Sequence, residues 1–142
     1  MRQLKKDRRV RDQAGKSIRT LIVDDSAQFR ETVSMFLASL PGLEPPVEAA
    51  NGQEAVRLAT RRPPDLVLLD LQMPGLHGLD VMDRVRLGSS ATRVVILTMH
   101  DSDTIRHLCL ERGADGFVSK NCLRKELPAV IRRLFRNGTS KR

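Results

Sequence analysis

Short apolar runs alternate with longer stretches of helical periodicity along this chain. The apolar runs predict five strands, at 19–23, 47–50, 65–69, 93–97 and 116–119. Between and after them, apolar residues recur every three or four positions, a spacing that predicts five helices. Because strands and helices alternate, we predict an α/β fold, a doubly wound parallel sheet of five strands with helices on both faces.

Each predicted helix is identified by its apolar face, and Gly or Pro residues mark several of the helix ends. The first is expected to end before Pro41 and the fourth at Gly113. In chain order, the apolar positions are Phe29, Val33, Phe36, Leu37 and Leu40; Ala55, Val56, Leu58 and Ala59; Leu79, Met82 and Val85; Ile105, Leu108 and Cys109; and Leu123, Leu127, Val130, Ile131 and Leu134.

Three local features refine this pattern. Pro45 and Pro46 precede the second strand, and proline is tolerated only at the start of a strand or at a sheet edge, so we place this strand at the edge. Asn51 with Glu54 three residues later resembles a capping box that opens the second helix. Pro128 is acceptable in the last helix only if it lies within the first turn.

The length and the cysteine content favour one ordinary intracellular domain. A chain of 142 residues is long enough to bury a core without disulfides or structural metals. Cys109 and Cys122 have no paired spacing, and no apolar run is long enough to span a membrane. The N-terminus is charged and lacks a hydrophobic signal region, so we expect a cytoplasmic, reduced protein without membrane contact.

The net charge of +8 belongs to the ends of the chain. Residues 1–20 and 121–142 each carry +6, whereas residues 21–120 carry −4. We predict a flexible basic leader over 1–17, a folded domain over 18–136, and a tail or the start of a linker over 137–142. No aromatic residue interleaves the basic ones, so solvated arms are favoured over a nucleic-acid surface.

Four of the five predicted strands end in acidic, hydroxyl or basic side chains. Asp24 and Asp25 follow the first strand, Asp70 the third, Thr98 the fourth and Lys120 the fifth. In an open parallel sheet these strand ends share one rim, where ligands bind. Three neighbouring carboxylates repel one another unless a cation intervenes, and oxygen ligands in an incomplete shell favour Mg²⁺. A carboxylate can also attack phosphorus and form an aspartyl phosphate.

A structural explanation exists for most of these residues taken singly. Asp25 would cap the first helix, Thr98 would be an ordinary strand residue, and Lys120 would be a solvated cation. Asp70 is harder to explain in this way, because a lone acid that closes an apolar strand has little structural purpose. All of these explanations would have to hold at the same rim, and we therefore favour a functional site.

Four segments of the chain resemble a known family in sequence and in order. They are LIVDDS at 21–26, LLDLQMPGLHG at 68–78, VVILTMHD at 94–101 and GADGFVSK at 113–120. Together they resemble the CheY-like receiver domain of response regulators, the phosphoacceptor module of two-component signalling, over 18–136. The resemblance implies a flavodoxin-like sheet with strand order 2-1-3-4-5. It also implies a sensor histidine kinase as partner and a switch of conformation on phosphorylation, rather than an enzyme with ordinary turnover.

The resemblance assigns a role to each residue of the site. Asp70 would accept the phosphoryl group, the hydroxyl of Thr98 would follow that group, and Lys120 would be its cationic partner. Phe117 occupies the aromatic switch position, and core packing explains it equally well. The metal ligands for Mg²⁺ would be Asp25 directly, Asp24 in an assisting role, Asp70, and the backbone carbonyl of Gln72.

Two details resemble the branch of regulators with a LuxR-type helix-turn-helix. These are the segment LTMHD at 97–101 and Asn121 in place of proline after Lys120. A cis bond before Asn121 would cost about 3 kcal/mol, so we expect a trans peptide. The output would be transcription. DNA would be bound only through an output domain, which we do not expect in this chain. A homodimer on phosphorylation is compatible with this resemblance, and the oligomeric state stays open, because the sequence shows no apolar stripe beyond those assigned to the core.

Two other classes of function remain open from the sequence. One is a phosphohydrolase similar to the haloacid dehalogenase superfamily, although there the nucleophile precedes the acidic pair. The other is an adaptor whose basic arms contact DNA or an acidic protein independently of phosphorylation.

His77, His100 and His107 lie at no metal-binding spacing, and we expect them at the surface. His100 is equally compatible with a place over the mouth of the site, where it would control access of water.

Overall fold

The structure, a computed structural model, describes residues 17–136. Strands and helices alternate throughout this range, as the hydrophobic pattern predicts. Apart from Ser17, the predicted leader lies outside the described residues, and so does the predicted tail at 137–142. The elements are β1 (Thr20–Val23), α1 (Ala27–Ala38), β2 (Val47–Ala49), α2 (Gly52–Arg61), β3 (Leu66–Asp70), α3 (Gly78–Gly88), β4 (Arg93–Thr98), α4 (Asp103–Glu111), β5 (Gly116–Ser119) and α5 (Leu123–Phe135).

The five strands of the described range form one parallel sheet in the order β2-β1-β3-β4-β5. The predicted fold class and strand order are therefore confirmed, and β2 lies at the edge as its preceding prolines require. The register pairs Val23 with Leu69, Asp70 with Leu97, and Thr98 with Ser119. This register places the carboxyl ends of the four strands β1, β3, β4 and β5 side by side.

The sheet separates two hydrophobic cores, which explains why its central strands are apolar on both faces. On one face α2, α3 and α4 contribute Ala55, Val81 and Cys109 to a buried cluster. On the other face α1 and α5 contribute Val33 and Ile131. Because both faces are covered, the rims of the sheet are left as the places where strand-end side chains gather.

Two details of the helices differ from the sequence predictions. Leu108 lies on the outer side of α4 with 48% of its surface exposed, whereas its neighbour Cys109 is buried as predicted. Pro128 is the sixth residue of α5 and thus lies beyond the first turn. Proline there removes the bond that its amide would donate to the carbonyl of Arg124. Burial of Leu127 and Ile131 on either side stabilises the helix despite that loss.

The helix caps also sharpen the sequence interpretation. Ser26, and not Asp25, caps α1, because its hydroxyl accepts a hydrogen bond from the amide of Phe29 at 3.1 Å. The Asn51 side chain caps α2 as predicted, accepting from the amide of Glu54 at 2.8 Å. The carboxylate of Glu54 in turn accepts from the amide of Ala50, one residue before the cap.

The remaining predictions on single residues concern the surface and the backbone. His77, His100 and His107 are exposed, as expected. Residues 17–136 contain no cis peptide, so the bond before Asn121 is trans as predicted. None of the helices in the same range is long and apolar enough to cross a membrane.

Candidate functional site

The carboxyl ends of four strands bring the predicted site residues to one rim of the sheet. Asp24 follows β1 directly, and Asp70 and Thr98 are the last residues of β3 and β4. Lys120 begins the single turn of 3-10 helix, Lys120–Cys122, that follows β5. The parallel register thus brings together residues that are far apart in the sequence. The side chains of Asp24 and Lys120, which are 96 residues apart, are in direct contact.

Asp24 is held in place by bonds to both carboxylate oxygens. Oδ1 accepts from the amide of Ser26 at 2.8 Å, and Oδ2 accepts from the Lys120 ammonium at 2.6 Å. The Asp24 backbone carbonyl accepts from the guanidinium of Arg30 at 2.7 Å, and its amide donates to Ala49 at 3.1 Å. With only 2% of its surface exposed, Asp24 is a fixed element of the site.

Asp70 is the second buried carboxylate, with 4% of its surface exposed. Its Oδ1 accepts from the amide of Gln72 at 3.1 Å, and its Oδ2 lies 3.4 Å from the Lys120 ammonium. Burial raises the pKa of Asp70 above its ordinary value, and the charge of Asp24 adds to this rise. The amide of Gln72 and the ammonium of Lys120 act in the opposite direction and only partly compensate.

Asp25 completes the acidic cluster from the solvent side. Its side chain is exposed, and carboxylate oxygens of Asp24, Asp25 and Asp70 all lie within 4.8 Å of one another. The Lys120 ammonium contacts two of these three carboxylates and supplies one positive charge, so a divalent cation would neutralise the remaining charge. Hard oxygen ligands on a half-open rim fit a cation that keeps part of its water shell. The residues present therefore fit a metal ion.

Thr98 and Phe117 are both buried, Thr98 at the end of β4 and Phe117 within β5. The hydroxyl oxygen of Thr98, which has no exposed surface, accepts from the amide of His100 at 3.1 Å. This bond leaves the hydroxyl proton available for another acceptor. Phe117 faces inward, and the guanidinium of Arg106 lies 4.7 Å from the centre of its ring. Core packing of Phe117 is therefore confirmed, and its role as a switch stays a prediction.

Two residues that contact the site were not identified as site residues from the sequence. Arg30 bonds the carbonyl of Asp24 and also forms an ion pair with Glu48 on β2 at 2.9 Å. Phe29 presents its ring to the Lys120 ammonium at 4.2 Å. In the sequence, Phe29 is one member of an apolar helical stripe and Arg30 one of many basic residues. No local pattern distinguishes them, because their contacts depend on how α1 packs on the sheet.

Comparison with known proteins adds to this geometry. The family model described as the response regulator receiver domain matches residues 20–132, which is most of the chain. The chain belongs to this family. The nitrate/nitrite response regulator protein NarL of Escherichia coli K12 is 37% identical to it over 103 residues, 71% of this chain and 47% of NarL. The receiver domain thus spans about half the length of this curated relative.

Two solved structures show the same fold as this receiver domain. A two-component response regulator of the LuxR family from Aurantimonas sp. SI85-9A1 is 32% identical, with a TM-score of 0.78, and the match covers 84% of this chain and 86% of that one. A chain of the CheX–CheY–BeF3–Mg²⁺ complex from Borrelia burgdorferi is 26% identical, with a TM-score of 0.78. The match covers 86% of this chain and 92% of that chain. The predicted resemblance to receivers of the LuxR-type branch is confirmed.

Proposed function

We propose that Asp70 is the phosphoacceptor of this receiver domain and takes its phosphoryl group from a phosphohistidine of a sensor histidine kinase. The observation that supports this most directly is the position of Asp70 at the end of β3. There its carboxylate lies among two further carboxylates and one ammonium. The charge of a buried structural aspartate would be balanced by its partners. Burial instead raises the pKa of Asp70, and its cationic partner, Lys120, lies closer to Asp24.

The reaction is a substitution at phosphorus. An oxygen of the ionised Asp70 forms the new O–P bond, the P–N bond of the phosphohistidine breaks, and the leaving imidazole takes up a proton. The Lys120 ammonium, 3.4 Å from Asp70, is placed to bond an oxygen of the incoming group. The hydroxyl of Thr98, whose oxygen already accepts from His100, is free to donate its proton to another such oxygen.

Mg²⁺ is the metal we assign to the acidic cluster. Asp24, Asp25 and Asp70 would hold it, together with the backbone carbonyl of Gln72, and when bound it supplies positive charge to the phosphoryl oxygens. The Borrelia burgdorferi neighbour contains Mg²⁺ together with BeF3, and this supports the assignment. The preference of the carboxylate donors for hard cations supports it independently.

The consequence of phosphorylation is a change of state rather than repeated turnover. A new dianionic group beside Lys120 and Thr98 alters the charge of a buried rim, and Phe117 on β5 is the residue through which we expect the change to reach the surface of α4. We assign this role to a unit of residues 18–136 acting in the cytoplasm. The output is transcription, which the LuxR-family neighbour supports.

The test is intact-mass analysis after incubation with a small acyl phosphate. We expect the wild-type chain to gain one phosphoryl group in the presence of Mg²⁺ and none in the presence of a chelator. Asp70→Asn, which keeps the shape of the side chain, should gain none under either condition. Asp65→Asn is the matched control, because Asp65 immediately precedes β3 and so lies at the opposite end of that strand from Asp70. Labelling that persists in Asp70→Asn would refute the assignment.

A further inference from the structure

The ammonium of Lys120 contacts three groups at the rim. It bonds Asp24 at 2.6 Å, lies 3.4 Å from Asp70, and stands over the ring of Phe29 at 4.2 Å from its centre. Only 11% of the Lys120 side chain is exposed. The two carboxylates hold the ammonium by charge, and the ring covers a further side of it.

We propose that Phe29 is a positioning residue that holds the Lys120 ammonium at the two carboxylates through a cation–π contact. This inference rests on the proposed function, because Lys120 acts there on the phosphoryl oxygens. A lysine side chain has four rotatable bonds, and each alternative rotamer removes its charge from the reaction. An aromatic face attracts an ammonium electrostatically and most strongly where water is excluded, as it largely is here.

The ring is anchored to the same segment as the acids. Phe29 lies in the first turn of α1, and its amide donates to the hydroxyl of Ser26, the residue that follows the acidic pair. The next residue, Arg30, bonds the carbonyl of Asp24. The turn that places the acids therefore also places the ring, so the distance from Phe29 to Lys120 is fixed by local bonds in addition to core packing.

A second phenylalanine on α1 provides a matched control. Phe36 lies seven residues further along the helix, packs against the same core as Phe29, and has the guanidinium of Arg124 at 5.7 Å from its ring. The cation over its ring is thus Arg124, whereas the cation over the ring of Phe29 is Lys120. Replacing Phe36 by leucine thus removes the same ring from the same helix without touching Lys120.

The first measurement concerns the contact itself and needs no phosphorylation. Protons above an aromatic face resonate upfield, so the ε-methylene protons of Lys120 should be displaced upfield from those of the other five lysines. Lysine-selective ¹³C labelling and Lys120→Met would assign the signal. We expect the displacement to persist in Phe29→Tyr and Phe36→Leu and to vanish in Phe29→Leu. A Lys120 signal that is ordinary in the wild type, or unchanged in Phe29→Leu, would overturn the inference.

The second measurement is the rate of labelling by a small acyl phosphate at saturating Mg²⁺. We expect Phe29→Leu to lower this rate about fivefold, the fold-change typical of a partly desolvated cation–π contact. Phe29→Tyr should restore most of it, and Phe36→Leu should leave it unchanged. Equal losses in Phe29→Leu and Phe29→Tyr, or in Phe29→Leu and Phe36→Leu, would show general packing and overturn the inference. Failure of the wild type to be labelled would refute the proposed function, while the chemical shift still decides the contact.

Discussion

The two rims of the sheet carry aspartates in opposite environments. At the amino rim, Asp65 precedes β3 and Asp115 precedes β5, and each accepts a backbone amide at 2.8 Å from the neighbouring chain segment, Arg19 and Val94 respectively. Asp115 also forms an ion pair with Arg86 of α3. At the carboxyl rim, Asp24 and Asp70 share the ammonium of Lys120, and Asp25 lies beside these two carboxylates.

This difference in environment distinguishes aspartates that stabilise the fold from aspartates that are available for reaction or metal binding. Each amino-rim carboxylate bonds a strand start, so its charge stabilises the native state. At the carboxyl rim three carboxylates lie together, two of them beside the ammonium of Lys120, and burial raises the pKa of Asp70. An acid at the end of a strand is therefore informative about function only together with its partners, and variants at the two rims should respond differently.

The largest effect should come from metal binding. At a Mg²⁺ concentration of about one hundred times the dissociation constant, the free energy of unfolding should rise by about 2.7 kcal/mol, because the ion binds only the folded chain. Urea unfolding with Mg²⁺ and with a chelator measures this rise. Asp25→Asn should lose most of it, whereas Asp65→Asn should keep it. An equal rise in Asp25→Asn would place the ion away from the carboxyl rim.

The next effect concerns the amino rim. Asp115→Ala should lower the free energy of unfolding by about 2 kcal/mol, because it leaves the amide of Val94 without its acceptor and removes one of the two acceptors of the Arg86 guanidinium, the other being the carbonyl of Gly113. Asp83→Ala is the control, since Asp83 is 53% exposed and forms its ion pair with Arg112 at the surface. Its cost should stay within about 0.5 kcal/mol. Similar costs for the two variants, measured by urea unfolding, would remove the structural role given to Asp115.

The smallest effect should have the opposite sign. Asp70→Asn should raise the free energy of unfolding at pH 7 by about 1 kcal/mol, because it removes a buried negative charge from beside Asp24. Because the pKa of Asp70 is raised in the folded state, the folded chain holds the Asp70 proton more tightly than the unfolded chain does. The free energy of unfolding of the wild type therefore falls as the pH rises through that pKa. The gain from the variant should therefore disappear below the ordinary aspartate pKa of about 3.9. A gain that is constant between pH 3 and pH 7 would contradict this explanation.

Most of the fold could be predicted because its signals are local. The start of β5 at Gly116 and its end at Ser119 match the prediction, and β3 is displaced by one residue to Leu66–Asp70. Short apolar runs buried on both faces leave little freedom in the assignment of strands. The errors arose where packing overrides a local preference. Pro128 is accepted inside α5 because its neighbours are buried, and Leu108 faces solvent because Cys109 takes the inward position.

The composition of the site could also be predicted, because each strand end carries its own residue. Asp24, Asp70, Thr98 and Lys120 are all found at the carboxyl rim, as expected. The ring of Phe29 over Lys120 and the bond from Arg30 to Asp24 were not foreseen. Both come from α1, whose orientation depends on which helical face meets the sheet. Periodicity gives that face but not the atoms it brings to the rim.

The sequence by itself determined the order of the elements, the parallel sheet and the set of chemical groups at its carboxyl rim. Hydrophobic periodicity and strand-end residues are properties of short segments, and short segments can be interpreted without knowledge of distant ones. The tertiary structure decided which carboxylate Lys120 bonds most closely, which acid is exposed, and which side chains hold the others in place. Those outcomes depend on distances between residues far apart in the chain, and only the packed register of sheet and helices fixes such distances.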